Sequence, residues 1–151
     1  MYSVIGIGGV GCRIAKCFSE YPQYNVICVD DQSSGIKDQI IVPKQKTPEE
    51  YEESFKNLTK AKKDKIKDNV VVVLCGASLV SSIALRLLYQ IRNKNITVIC
   101  VRPEQDLMGE TKQSQEKVIY SVLQEYTRSG IFDRIYLTSN SQMDSLVEDA
   151  S

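Results

Sequence analysis

The stretch Gly6-Ile7-Gly8-Gly9-Val10-Gly11 carries the clearest chemistry in this chain. It follows the apolar run at residues 2–7 and precedes a helical pattern that puts Ile14, Ala15 and Phe18 on one side of residues 12–20. In that context a Gly-x-Gly-x-x-Gly spacing lets the backbone turn sharply and approach a pyrophosphate, whose charge the amides at the helix start can hold. The same spacing also serves as a tight strand-to-helix turn with no ligand. Nineteen residues beyond Gly11 stands Asp30, followed by Asp31, at the end of the second apolar run. An acid there holds a ribose hydroxyl in NAD-binding folds. A second loop, CGASLVSS at residues 75–82, opens another helical pattern, so a second set of helix-terminal amides faces the same rim.

Other chemistry is excluded by what the chain lacks. With no histidine, neither a Ser–His nor a Cys–His nucleophile pair can form, and a four-ligand zinc site fails at any reasonable spacing. Three of the five cysteines, Cys28, Cys75 and Cys100, lie in apolar runs, where a thiol behaves as a small hydrophobe. Nineteen basic and nineteen acidic residues cancel, so no field of one sign draws the chain to nucleic acid or an acidic membrane. Residues 1–20 lack the pattern of a signal peptide, and no apolar run approaches the ~20 residues that span a bilayer. The expectation is a cytoplasmic protein with no membrane partner and no nucleic acid partner.

The elements that must position the loops alternate along the chain. Apolar, β-branched runs at residues 2–7, 24–29, 39–42, 70–75, 96–101 and 134–137 read as strands buried on both faces. Helical patterns lie between them: residues 12–20, 48–66 with Tyr51, Phe55, Leu58 and Ile66 on a narrow stripe, 79–92 with a wide apolar face, and 110–127. The fold class is therefore α/β, a three-layer, doubly wound, mostly parallel, Rossmann-like sheet whose ligands bind at the carboxyl ends of the strands. At 151 residues the chain is long enough for one domain around a single core. The charged stretch 48–68 starts with four glutamates and ends with five lysines, matching a helix dipole, with Thr47 as cap and Pro48 as first residue. It reads as one solvated helix; the alternative is a lysine patch that touches a partner or a nucleic acid backbone.

Taken together, these segments resemble the nucleotide-binding half of the tubulin/FtsZ GTPases over essentially the whole chain. VIGIGGVGCRIAK looks like that family's first phosphate loop, and VICVDDQ like its second strand and turn, with Asp31 on the family's aspartate. TPEEYEES resembles the start of its third helix. NITVICVRPEQDLMG is similar to the strand leading into its Lys-Pro-Phe segment, with Pro103 and Gly109 kept. DRIYLTSN matches the strand ending in Ile-Pro-Asn, which puts Asn140 on that asparagine. The resemblance implies a cradle in which Gly8, Gly9, Gly11 and Cys12 give amides to phosphate and Arg13 adds charge. Asp31 and Asn140 would meet sugar or base, and Gly76, Ala77 and Ser78 would close the other side.

Departures from the family lower the expected activity. The second phosphate loop keeps one glycine, Gly76; Ser78 stands for a threonine, and Leu79 replaces a glycine needed for close approach. Its helical spacing with Ile83 favours a core position. The segment between Val42 and Thr47 is too short for the family's loop that senses the terminal phosphate. Met108 stands where the family reaches the ribose with a glutamate, and Lys112 where it has an arginine. The sequence stops about where the family's central helix begins, so the catalytic acids, that helix and the second domain are not part of it.

The resemblance thus implies a single reduced domain over 1–151. It would act as a structural, assembly or partner-binding module, with GTP or GDP bound weakly or not at all, no hydrolysis of its own, and protein partners or self-association. Two alternatives stand beside it. One is an NAD-binding Rossmann domain, a sensor or part of an oxidoreductase, with Asp30 on the ribose. The other is a ligand-free structural subunit of a larger assembly, such as that of a phage.

Overall fold

The computed structural model describes residues 2–33, 35–55, 58–75, 79–102, 110–130 and 133–139. The six apolar runs form parallel strands: β1 (Tyr2–Ile7), β2 (Tyr24–Asp30), β3 (Asp38–Ile41), β4 (Asn69–Cys75), β5 (Asn95–Arg102) and β6 (Arg134–Ser139). They make one sheet of order β3-β2-β1-β4-β5-β6. Five helices connect them: α1 (Gly8–Lys16), α2 (Pro48–Ser54), α3 (Lys60–Lys65), α4 (Ala84–Gln90) and α5 (Glu110–Arg128). None of the described helices is long and apolar enough to cross a membrane.

Consecutive strand residues feed opposite faces, which is why the runs are apolar throughout. Val4, Val26, Cys28, Val73 and Val101 join Cys12, Ile14 and Ala15 of α1 on one face. Ile5, Ile27, Val72, Leu74, Val98 and Cys100 join Tyr51, Leu87, Leu88, Ile119 and Leu123 on the other. Right-handed crossovers explain the split. The step from β1 to β2 runs one way across the sheet, whereas the steps to β4, β5 and β6 run the opposite way, so α1 lies on its own face. The expected three-layer, doubly wound class is what the chain forms.

Two helical expectations need correction. The stretch 48–68 is two short helices, not one. Thr47 caps α2, its Oγ1 accepting from Glu50 N at 3.2 Å. Phe55 then turns extended (φ −74°, ψ 113°), and Leu58 N donates to Gln90 Oε1 at 2.6 Å. Thr59 starts a second helix, its Oγ1 accepting from Lys62 N at 3.3 Å. Phe55 and Leu58 are buried by leaving the helix rather than by extending its stripe. Likewise residues 79–92 are not one α-helix: a 3-10 turn, Leu79–Ile83, precedes α4.

Candidate functional site

β1 is central, between β2 and β4, and the connection leaving it runs in the direction opposite to those that lead to β4, β5 and β6. That switch point is where an open α/β sheet has its ligand crevice. α1 starts at once, at Gly8, with Ile7 as an extended N-cap (φ −120°, ψ 123°) that offers no side-chain hydrogen bond. The amides of Gly8, Gly9 and Val10 therefore have no partner within the helix, whereas those of Gly11 and Cys12 enter the helical ladder.

Three of the four loop glycines are required by the fold itself. A Cβ at Gly6 would lie 2.6 Å from the Gly11 carbonyl carbon and 2.8 Å from Cys12 Cα, so glycine here lets α1 fold back onto β1. A Cβ on Gly11 would run into the Val73 carbonyl of β4. Gly8 sits at φ 76°, a conformation that side chains oppose. Gly9 differs: a Cβ there meets nothing within 4 Å, and the residue is exposed. Its lack of a side chain has no steric reason within the described chain, although glycine in a helical turn is less stable than alanine.

The remaining residues of this wall divide. The Cys12 side chain is buried and turned away from the crevice, its Sγ 3.4 Å from the Gly6 carbonyl and 3.7 Å from that of Val29. A hydrogen bond with Cys28 and burial push its thiol pKa far up, so it stays protonated. Arg13 is exposed and lies in the last turn of α1.

Asp31 follows β2 at the same rim, but it already has a partner. Tyr51, a buried residue of α2, donates its hydroxyl to Asp31 Oδ2 at 2.7 Å. Burial, and then this bond to a carboxylate, raise the Tyr51 pKa, while the Gln45 backbone opposes the shift. The short connection 42–47 is thereby fastened to the end of β2. The sequence reading placed Tyr51 in a core stripe and missed this contact. A phenol among Phe55 and Leu58 was the available signal, since buried tyrosine hydroxyls find a partner. Asp30 is half-buried, accepts from Asp31 N at 2.8 Å, and has its pKa raised chiefly by burial.

After β4, the described side chains of the second wall are those of Val80, Ser81 and Ser82. Ser81 Oγ donates to the Cys75 carbonyl, and Ser82 Oγ donates to the Pro48 carbonyl at 2.8 Å. Both hydroxyls are buried and serve the backbone, and Val80 is core. Gly76, Ala77, Ser78 and Asn140 lie outside the described residues, as do Pro103, Met108, Gly109 and the side chains of Leu79 and Lys112. The structure thus brings Gly8, Gly9 and Asp31 to one rim, while Gly11 packs on β4, Cys12 turns into the core and Arg13 stands in the last turn of α1.

No protein-family profile and no curated protein matches this sequence. Among solved structures, the chain is similar to the C-terminal-tail-truncated TubZ of Clostridium botulinum phage c-st, with a TM-score of 0.74 and 14% identity. That likeness covers 98% of this chain and 57% of the TubZ chain. The fold is tubulin/FtsZ-like, and the chain spans little more than half the length of the protein it matches.

Proposed function

We propose that the chain is a reduced tubulin/FtsZ-like domain serving as a structural, assembly or partner-binding module, with guanine nucleotide held at the head of α1 weakly or not at all. The observation that carries the nucleotide part is Gly9. Its neighbours explain themselves through packing, but an exposed glycine with open space above it, beside unpartnered amides at the switch point, is what a close-lying phosphate requires. Weakness follows from Asp31. The Tyr51 hydroxyl already occupies one acceptor site of Asp31 Oδ2, so a ligand at this carboxylate shares it rather than meeting a free acid. The TubZ-like fold supports the guanine assignment over other nucleotides.

One observation favours a second reading. Asp30 ends β2 beside the head of α1, in a sheet with the strand order of dinucleotide-binding folds, as a ribose-binding acid of an NAD domain does.

Thermal melts with GTP, GDP, ATP or NAD separate these readings. A ligand at ten times its Kd stabilises the folded state by about 1.4 kcal/mol, a shift of a few degrees. The expected result is a small shift with guanine nucleotides that Gly9→Asp abolishes through bulk and charge. Gly9→Ala should keep or raise the unliganded stability, by up to about 1 kcal/mol, and reduce the shift. A shift with NAD alone transfers the site to the second reading. No shift with any of them leaves a ligand-free module, and a guanine shift that survives Gly9→Asp places the ligand elsewhere.

A further inference from the structure

α3 is a helix that the core does not need. Its six residues, Lys-Ala-Lys-Lys-Asp-Lys, include none that is buried. A helix this short is not stable alone in water, and one that is polar all round finds its reason in contacts outside its own core. Here it is held from its ends: the Thr59 cap and Leu58 before it, and buried Ile66 after it. The chain thus displays a rigid lysine cluster where a plain loop would close the same gap.

Clefts open around α3, and they share one chemistry. Between α3 and the end of α4 lies a cleft of about 410 Å³ with Lys60, Lys63 and Lys94 around a single carboxylate, Asp64, and with buried Leu58 and Ile91 beneath. On the β3 side a second, of about 370 Å³, has Lys62 over Ile40, Ile41, Phe55 and Leu58. A third, with Lys37, Lys62 and Lys65, is floored by Ile27 and Ile66. Ile41 is 62% exposed beside them. Lys65 is paired with Asp38 and Lys94 with Asp68, whereas Lys60, Lys62 and Lys63 have no ion pair among the described residues. Cationic rims over aliphatic floors fit carboxylates interleaved with aliphatic side chains. A nucleic acid backbone, uniformly anionic, leaves such floors unused.

We propose that α3 and its clefts are a docking surface for an acidic, aliphatic polypeptide segment, and that the occupant is residues 143–149 of a second copy of this chain. That stretch, outside the described residues, reads Met-Asp-Ser-Leu-Val-Glu-Asp. Met143, Leu146 and Val147 supply aliphatic side chains at helical spacing, and Asp144, Glu148 and Asp149 supply three carboxylates. The contact is assigned to two copies because the clefts lie toward the amino ends of β4 and β5, whereas Ser139 ends β6 at the opposite edge of the sheet. The proposal rests on the partner-binding part of the function above and not on its nucleotide part.

Self-association of the full chain, measured by sedimentation velocity without nucleotide, tests it by charge exchange. The expected result is a dimer or larger species in the micromolar to tens-of-micromolar range that weakens as salt is raised. Lys60→Glu with Lys63→Glu should weaken it at least tenfold, as should Asp144→Lys with Glu148→Lys. An equimolar mixture of the two doubly substituted chains should regain association, because each supplies the surface or segment that fits the other. α3 buries nothing, so unchanged circular dichroism melts will confirm that the lysine changes leave the fold intact. A wild-type chain that stays monomeric to hundreds of micromolar overturns the proposal. So does association lost with the lysine changes but indifferent to Asp144 and Glu148, which assigns the surface to another partner. Failure of the nucleotide reading shows only in the ligand melts and leaves these outcomes unaffected.

Discussion

The turns after β1 and β4 sit side by side at one rim of the sheet, and the chain builds them from opposite materials. After β1 the backbone enters α1 directly, with no capping side chain, leaving the amides of Gly8, Gly9 and Val10 without a partner in the helix. After β4 the chain enters a 3-10 turn whose serines bond inward, Ser81 to the Cys75 carbonyl and Ser82 to the Pro48 carbonyl, with Val80 in the core. Among the described residues, the first turn thus leaves its amides without a helical partner, whereas the second uses its serine hydroxyls, engaged by the backbone, to hold α2 and β4.

The contrast is sharpest within the first turn itself, and Gly11→Ala should show the largest effect. Its new Cβ runs into the Val73 carbonyl, so α1 must lift from β4 and take Cys12, Ile14 and Ala15 with it. Overpacking of this kind costs about 2–3 kcal/mol, a fall in Tm of about 5–10 °C. Two residues away, Gly9→Ala should not lower Tm at all. Equal losses at the two positions would mean that Gly9, too, is a packing glycine, and the argument for a ligand at this loop would fall.

Tyr51→Phe probes what the β2 side contributes and should act less strongly. Losing the hydroxyl bond to Asp31 lowers stability by about 1 kcal/mol, or about 2–4 °C at neutral pH. The pH dependence has a fixed sign. The Tyr51 pKa in the fold lies above the ordinary value of 10.0, so the unfolded chain loses its proton first, and wild-type stability falls as pH rises beyond about 10. Phenylalanine lacks that loss, so the gap between the two melts should narrow on the alkaline side. A gap that widens there would place the hydroxyl outside the burial described.

How far the sequence disclosed these features depends on the range of the interaction behind each. The strands were legible because runs such as VVVVLC and ITVICV must be apolar on both faces of a central parallel sheet, a demand visible in consecutive residues. Thr47 and Pro48 as a helix start were legible for the same reason, since capping acts over three residues. The break between α2 and α3 was not: Thr59 is a second cap, but what ends α2 is Phe55 turning into the core and Leu58 N reaching Gln90, 32 residues away. The Asp31–Tyr51 bond spans 20 residues and leaves no periodic trace. The glycine loop was half legible. Its spacing gave the turn, but only the positions of Val73 and Cys12 separate the glycines that serve packing from the one that does not.

Asp30→Asn should have the smallest effect and bears on which ligand the rim is built for. Burial raises the Asp30 pKa above 3.8, so the folded chain holds this proton more tightly than the unfolded chain does. The stabilisation that protonation brings is present below about pH 3.8 and lost as pH rises through the folded-state pKa; at neutral pH the half-buried charge is a net cost. Asparagine keeps Oδ1 to accept from Asp31 N and removes the charge. Its Tm should therefore exceed wild type by about 1–2 °C at pH 7 and match it near pH 3, where both side chains are neutral. A lower Tm at pH 7 would show instead that the carboxylate is stabilising. The same variant separates the ligands. If Asp30 holds a ribose hydroxyl in the NAD manner, asparagine abolishes an NAD shift, whereas a guanine nucleotide that relies on the Gly9 amide and Asp31 keeps its shift.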